Sequence, residues 1–577
     1  MDGMDTFSLG TLDYVAFALF FVVLSLVGFW AGRKERGSAD DYFLAGRSLP
    51  WYVVGGSFIA SNISTEHFIG MIGAAYIFGI CVADSEWVNV VSFSMIVWFF
   101  IPFLMASRVF TMPEYLERRF NGTLRQFFAF VTVLSNVVAF LAAVLYGGAL
   151  ALEALFGWPF WVALMVLGIS AGVWAIYGGL SSVAWTDLFT VLIMLLGGLS
   201  VTVLGLKMLD PEGASIFVGF ANMIEANRAT SGVWNEAVAA SAPHITGEAE
   251  YNRLSVFQPV THAVWPWPAM IFATFSISIW YNVLNQFMIQ RVLGARSTYD
   301  ARMGIVFAGL LKVLMPVIVV LPGLILFAKY PEVLLGPWED VPKEADKGYV
   351  HMLQTLVPLG LRGLFLAALF GAIQSTVNSV LNSSATIVTL DFYKRIFAPD
   401  AGQRRLVWVG VIVSASLLVL AMILACFIGN LGGGLFVYIQ SLYAFFAPPF
   451  SAVFLLGILF KRINAQGATT AVFSGFALGI LLKVYVQYVP SHPAWIEPFP
   501  NQAILNWLFC TVVCVVVSLM TAPPRPEQVA QSLMIDWKAL RIGGDLGSHW
   551  YNSVLTWWLV FVGLVVALAL VFSGLVF

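Results

Sequence analysis

The sequence predicts an all-α integral membrane protein with fourteen transmembrane helices, and three observations carry that prediction. Of 577 residues, 60% are hydrophobic and only 10% charged, against about 25% charged in soluble chains; mean hydropathy is +0.87. Apolar runs of about 20 residues, enough to cross a bilayer, recur along the whole length. With the N-terminus placed outside, 20 of the 29 Lys and Arg fall in inner loops, as the positive-inside rule requires.

Taken in order, the first run (11–32) follows the acidic start Met1-Asp2-Gly3-Met4-Asp5 and precedes Arg33-Lys34-Glu35-Arg36. A secretory signal has the opposite polarity, so this run reads as a permanent helix. Runs at 50–79, 84–107, 125–152, 158–177 and 182–208 follow, then an acidic outer loop over 209–262. Further runs lie at 263–290 and 304–329, then a second outer loop over 330–357. The last six are 358–391, 405–428, 434–460, 466–489, 501–521 and 553–577. Both outer loops have room for short surface helices. An inner segment near 522–552, with Pro523-Pro524-Arg525-Pro526, links the final helix loosely. An even number of crossings puts both termini outside.

The net charge of −2 gives no basic surface for nucleic acid. Cys81, Cys426, Cys510 and Cys514 all sit in apolar stretches and read as small buried hydrophobes rather than a disulfide or metal framework. No His/carboxylate metal spacing, base-paired nucleophile or phosphate loop points to an enzyme.

Ionisable side chains at membrane depth are costly and mark function by default. They are Glu66, His67, Asp84, Glu86, Asp187, Lys312 and Lys483. Asp84, Asp187 and Lys483 lie where a helix end would let them reach water. Glu86 and Lys312 are deeper, and become tolerable if they pair or share a polar cavity. The run Ala60-Ser61-Asn62-Ile63-Ser64-Thr65-Glu66-His67 reads as a break in the second helix, whose free carbonyls would bind a cation, or else as a kink glued to a neighbour. In the ninth run, Ser375, Ser379 and Asn382 share one helix face, either as packing glue or as oxygen ligands for a hard cation. Ser276, Ser278, Trp280-Tyr281-Asn282 and Asn285-Gln286 in the seventh run, and Tyr438-Ile439-Gln440-Ser441 in the eleventh, set aromatic rings beside amides and hydroxyls. That combination suits a sugar, whose apolar face stacks while its hydroxyls are bonded, and equally suits packing.

The second run, with Phe68, Ile69 and Gly70, resembles the sodium/solute symporter family, and within it the sodium/glucose–galactose cotransporter branch. Glu86-Trp87, Tyr177-Gly178-Gly179-Leu180-Ser181-Ser182, Trp185-Thr186-Asp187, Gln290-Arg291, Gly304-Ile305-Val306 with Lys312, Leu321-Pro322-Gly323, Leu381-Asn382-Ser383 with Asp391 and Tyr393, and Ala452 to Gly457 continue the resemblance in order. It implies fourteen helices around a LeuT-like core of two inverted five-helix repeats, at 50–208 and 263–460, each opening with a broken helix. Residues 1–49, 209–262 and 461–577 would be an extra N-terminal helix with its inner loop, an extracellular loop and three C-terminal helices.

The resemblance also implies roles. No cofactor is expected; Na+, the coupling ion, would be held by carbonyls of Ala60, Ile63 and Ala372 and hydroxyls of Ser375 and Thr376, with Asp187 on its inner exit path. The sugar would be bound by Asn62, His67, Glu86, Ser278, Lys312 and Gln440. Tyr281 would stack on it as an inner gate, with Met71 and Phe436 as outer gate. Ser61 and Asn378 stand at a candidate second Na+ site, where Asn378 replaces a Thr; one Na+ per sugar is the expectation. His67, Asn282 and Ser85 also depart from branch patterns and leave the sugar open. Because Glu86 and Lys312 can neutralise each other, a neutral substrate is expected. Another polyol such as myo-inositol, or a sugar-gated sensor on the same scaffold, are the alternatives. The expected partners are a small sugar, Na+ and the lipid bilayer. The absence of a targeting segment points to a bacterial inner membrane.

Overall fold

The structure is a computed structural model that describes residues 9–33, 38–107, 109–228, 252–337, 340–428, 434–535 and 546–576. The middle of the first outer loop (229–251) and residues 536–545 of the inner segment lie outside the described residues. The main helices are α1 (Thr11–Gly32), α2 (Trp51–Asn62), α3 (Glu66–Phe78), α4 (Ile80–Met105), α5 (Met112–Arg119), α6 (Gly122–Phe156), α7 (Phe160–Gly172), α8 (Gly179–Leu209), α9 (Ile216–Arg228) and α10 (Trp267–Leu284). They continue with α11 (Gln286–Leu293), α12 (Thr298–Lys329), α13 (Val341–Asp346), α14 (Gly348–Leu356), α15 (Arg362–Phe397), α16 (Gln403–Ile428), α17 (Leu435–Leu459), α18 (Ala465–Tyr488), α19 (Phe499–Met520) and α20 (Val554–Val571).

Among the described residues, twelve helices are long and apolar enough to cross a membrane, not fourteen. The other two apolar runs are accounted for by backbone breaks. Run 50–79 is divided into α2 and α3. Run 158–177 contains the short apolar α7, whose helical backbone runs on into α8 across a kink at Gly179. There φ is 57° and ψ is −156°, a conformation that only glycine adopts without strain. The chain is a multi-pass membrane protein.

Burial separates core from rim. In the most apolar stretch of α15, 94% of residues are buried, and in α17 83%; in α20 the figure is 17% and in α1 22%. Helices such as α6, α12, α15 and α17 therefore build the core, while α1, α16 and α18–α20 present apolar faces outward, as a lipid solvent permits. Close approach in the core depends on missing side chains. A Cβ on Gly55 of α2 would lie 2.3 Å from the carbonyl oxygen of Gly304 in α12, so these two helices touch backbone to backbone. Polar caps start the helices at the water boundary: Asn121 Oδ1 accepts from Leu124 N (2.9 Å), Ser297 Oγ from Asp300 N (3.0 Å) and Asn464 Oδ1 from Gly467 N (2.8 Å).

Two breaks place functional groups at depth. At Ile63 the backbone turns extended (ψ 121°), and it does so again at Asn285 (ψ 120°), between α10 and α11. Past the first break, Ser64 N donates to His67 Nδ1 (3.3 Å) and Glu66 N to Ser64 Oγ (3.1 Å). In an unbroken helix these two N–H groups would serve the carbonyls of Ala60 and Asn62. The Ser and His side chains thus satisfy the donors locally and release carbonyl oxygens inside the protein. Residues Glu66–Met71 then form wide π-type turns, which fan successive side chains outward and recur at functional sites.

Candidate functional site

A polar cavity lies against the first break, lined by Asn62, Glu66, His67 and Met71 from α2 and α3, Ser85, Glu86 and Asn89 from α4, Trp265, Ser278 and Tyr281 from the seventh run, Lys312 from α12, and Gln440 and Tyr443 from α17. All seven predicted sugar residues therefore border one space, although they come from five separate runs. At its centre Lys312 Nζ lies 2.9 Å from Glu86 Oε2 and donates to Asn62 Oδ1. Asn62 Nδ2 donates to Tyr281 Oη (2.6 Å), and His67 Nε2 stands 3.5 Å from Glu86 Oε1. Gln440 Nε2 donates to Glu66 Oε1 (2.9 Å). Both members of the ion pair are 4% exposed or less. Each charge is bearable because the other is present. The Tyr281 ring lies against Phe140 (centroids 5.9 Å, 30°) and Tyr443 (5.4 Å, 50°), an aromatic floor under the polar groups.

The predicted cation ligands lie on the far side of the same break. Thr376 Oγ1 of α15 is 3.1 Å from the Ile63 carbonyl oxygen and 3.4 Å from that of Ser61. Ser375 Oγ donates to Asp187 Oδ1 (2.6 Å). Ala60 and Ala372 are wholly buried. Asp187 sits beside this cluster rather than at a helix end near water. Its second oxygen accepts from Ser57 Oγ (2.6 Å) and Ser61 Oγ (3.2 Å), with Arg291 Nη2 3.7 Å away. Arg291 also donates to Ser57 Oγ (3.0 Å) and to Ser379 Oγ. At the candidate second site, Ser61 Oγ is bonded to Ser379 Oγ (2.8 Å), while Asn378 Oδ1 has no hydrogen-bond partner among the described residues.

A second cavity, lined by Gly70, Ala74, Val264, Asp346, Phe436 and Val437 among others, lies next to the first. Consecutive residues of two segments face different cavities, Gly70 and Met71, and Val264 and Trp265, as do Phe436 and Gln440 one turn apart on α17. The wall between the cavities is thin and includes both predicted outer-gate residues. Phe436 is seated directly on α3, where a Cβ on Gly70 would lie 2.7 Å from Phe436 N.

Sequence reasoning noted Glu66 but gave it no role, and passed over Asn89, Trp265 and Tyr443, all of which line this polar cavity. Glu66 was the most accessible of these, being adjacent to His67 in the same polar run. Trp265 falls within the apolar run 263–290 and carried no signal of its own; the structure starts that helix at Trp267 and leaves Trp265 in the loop before it.

Comparison with known proteins agrees with the geometry. The profile of the sodium:solute symporter family matches residues 42–475, and the chain belongs to that family. It is 34% identical over 552 residues to the sodium/glucose cotransporter of Vibrio parahaemolyticus, covering 92% of this chain and 96% of that protein. It is 32% identical over 562 residues to the sodium/myo-inositol cotransporter of Mus musculus, covering 92% and 76%. A solved structure of a Na+-coupled sialic acid symporter shares the fold, with TM-score 0.70 at 20% identity over 89% of this chain and 99% of that one.

Proposed function

We propose that this sodium-coupled symporter carries a neutral, hydroxyl-rich solute of the glucose or galactose type by alternating access. The observation that carries the substrate class is the charge balance of the cavity. Its one lysine is already paired with Glu86, and Glu66 adds a further carboxylate. An anionic substrate would find no unpaired cation and would face that acid. A ring of hydroxyls instead finds donors on Asn62, Lys312 and Gln440, acceptors on Glu66 and Glu86, and an aromatic face on Tyr281. Myo-inositol meets the same requirements, and relatives of both substrate types stand at similar identity.

In this account Na+ binds among the carbonyls of Ala60, Ile63 and Ala372 and the hydroxyls of Ser375 and Thr376. The Ser375 hydroxyl donates its hydrogen bond to Asp187 and so keeps its oxygen lone pairs for the cation. One Na+ moves per cycle, because the Arg291 guanidinium already lies against Ser57, Ser379 and Asp187, where a second cation would sit by Ser61 and Asn378. Na+ bound at the break orders the backbone that leads directly to Asn62, Glu66 and His67. Substrate then binds a prepared cavity, and by linkage tightens Na+ by the same factor. Repeats at 50–208 and 263–460 rock about the fixed site, with both termini outside.

The test is uptake of labelled glucose, galactose and myo-inositol into proteoliposomes under an inward Na+ gradient, then with K+ in its place. Na+-dependent uptake that falls in both Thr376→Ala and Gln440→Ala supports the reading. Uptake indifferent to Na+ rejects it. Na+ current without solute movement would establish a sensor instead.

A further inference from the structure

Trp265 is the one cavity residue contributed by a loop, and of the five buried indole N–H groups without a partner among the described residues (Trp87, Trp98, Trp265, Trp280 and Trp507) it alone borders this cavity. It is 6% exposed, borders the substrate cavity, and its indole Nε1 has no hydrogen-bond partner among the described residues. Burying an indole N–H without an acceptor costs free energy, and a native fold retains one where something else supplies the acceptor.

The loop that carries Trp265 is held rigidly. Ile80 N donates to Arg253 O (2.8 Å), and Arg253 returns bonds from Nη1 to Ile77 O and from Nη2 to Tyr76 O, both 2.7 Å. Trp267 N donates to Gln258 O (3.0 Å), closing the loop on itself. Nearest the ring, His262 Nδ1 accepts from Trp265 N (3.0 Å) and Val264 N (3.3 Å). Burial pushes the His262 imidazole down to about 3, so the ring stays neutral and its Nδ1 lone pair remains available. A pinned strap thus presents the indole at the boundary of the two cavities, since Val264 borders the second one. Such preorganisation removes ordering cost from binding.

We infer that Trp265 is a substrate-contacting residue, whose indole N–H donates to one hydroxyl of the bound solute while its ring closes the cavity beside Met71 on the outer side. This rests on the polyhydroxyl reading of the cavity. It makes Trp265 a determinant of which hydroxyl pattern is accepted, because a site that bonds a hydroxyl discriminates against the analogue lacking it.

The experiment uses the full-length protein in proteoliposomes at saturating Na+, with the preferred substrate and its single-deoxy analogues. Wild type is compared with Trp265→Phe and with benzothienylalanine installed at position 265, which keeps the bicyclic ring and replaces N–H by sulfur. The expected result is a KM for the parent solute raised about 3- to 10-fold in both, the size of one net hydrogen bond. One deoxy analogue should show no such rise. The isosteric replacement separates loss of the donor from any packing defect in the Phe variant. An unchanged KM in the sulfur-containing protein overturns the inference, as does an equal rise for every analogue. If wild type takes up no sugar or inositol with Na+, the substrate reading falls first and this assignment with it. If wild type transports and the replacement changes nothing, only Trp265 is wrong.

Discussion

At the scale of single residues, the site is governed by the pairing of Lys312 with Glu86. Both side chains are buried against each other, so removing one leaves the other without its counter-charge. Breaking a buried pair costs about 3–5 kcal/mol, whereas replacing both members by neutral groups costs far less. Lys312→Met and Glu86→Gln should each lower the melting temperature of the purified protein more than the double variant does. Additive losses, measured by thermal melts in one detergent, would mean that the pair is not coupled. Thr376 gives a second prediction. Its hydroxyl lies on the carbonyls freed at the helix break. Thr376→Ala should therefore raise the half-saturating Na+ concentration, and Thr376→Ser should restore it. By linkage the alanine variant should weaken substrate binding at low Na+ and approach wild type as Na+ saturates. A defect that persists unchanged at saturating Na+ would place Thr376 outside the cation site.

At the scale of elements, α13 works as a clasp. The Asp346 carboxylate accepts from Leu435 N (2.9 Å), the first residue of α17, and a Cβ on Gly73 of α3 would lie 2.8 Å from its other oxygen. The outer loop is thereby tied to both helices that form the wall between the cavities. Burial pushes Asp346 up to about 7. An acid whose folded value is raised binds its proton in the folded state while the unfolded chain has released it. This group's contribution to stability should therefore fall as pH rises from about 4 to 7. Asp346→Asn keeps an acceptor for Leu435 N and should flatten that part of the melting profile. An Asn profile parallel to wild type between those pH values would rule out the clasp as the titrating group.

How far elements could be read from sequence depended on how local their causes are. The break at Ile63 was legible because its cause, the polar run Ala60 to His67, is contiguous. The kink at Gly179 sits in a Gly-Gly pair, yet nothing local indicated that α7 would be short and continuous in backbone with α8. The surroundings of Asp187 were not legible: Ser57, Arg291 and Ser375 are each more than a hundred residues away and meet it only through packing. Ser61 and Asn378 show the same limit: the sequence already leaned to one Na+ because Asn378 replaces a Thr, but the Arg291 guanidinium that reaches Ser379 beside Ser61 comes from a distant run.

At the scale of the molecule, the proposed cation ligands and the polar cavity both adjoin the break at Ile63, and in the proposed mechanism that shared backbone is the means of coupling. If one Na+ accompanies a neutral solute, each cycle moves one positive charge, and the membrane potential contributes about 2.3 kcal/mol per 100 mV to the gradient. An inside-negative potential should accelerate uptake, and collapsing it with a K+ ionophore should slow uptake without abolishing it. The most direct test is to measure charge and solute flux together in the same proteoliposomes, with the Na+ gradient as the only driving force. The account predicts an inward current that requires solute and a ratio of one charge per molecule carried. Solute uptake without current, or current without uptake, would contradict it.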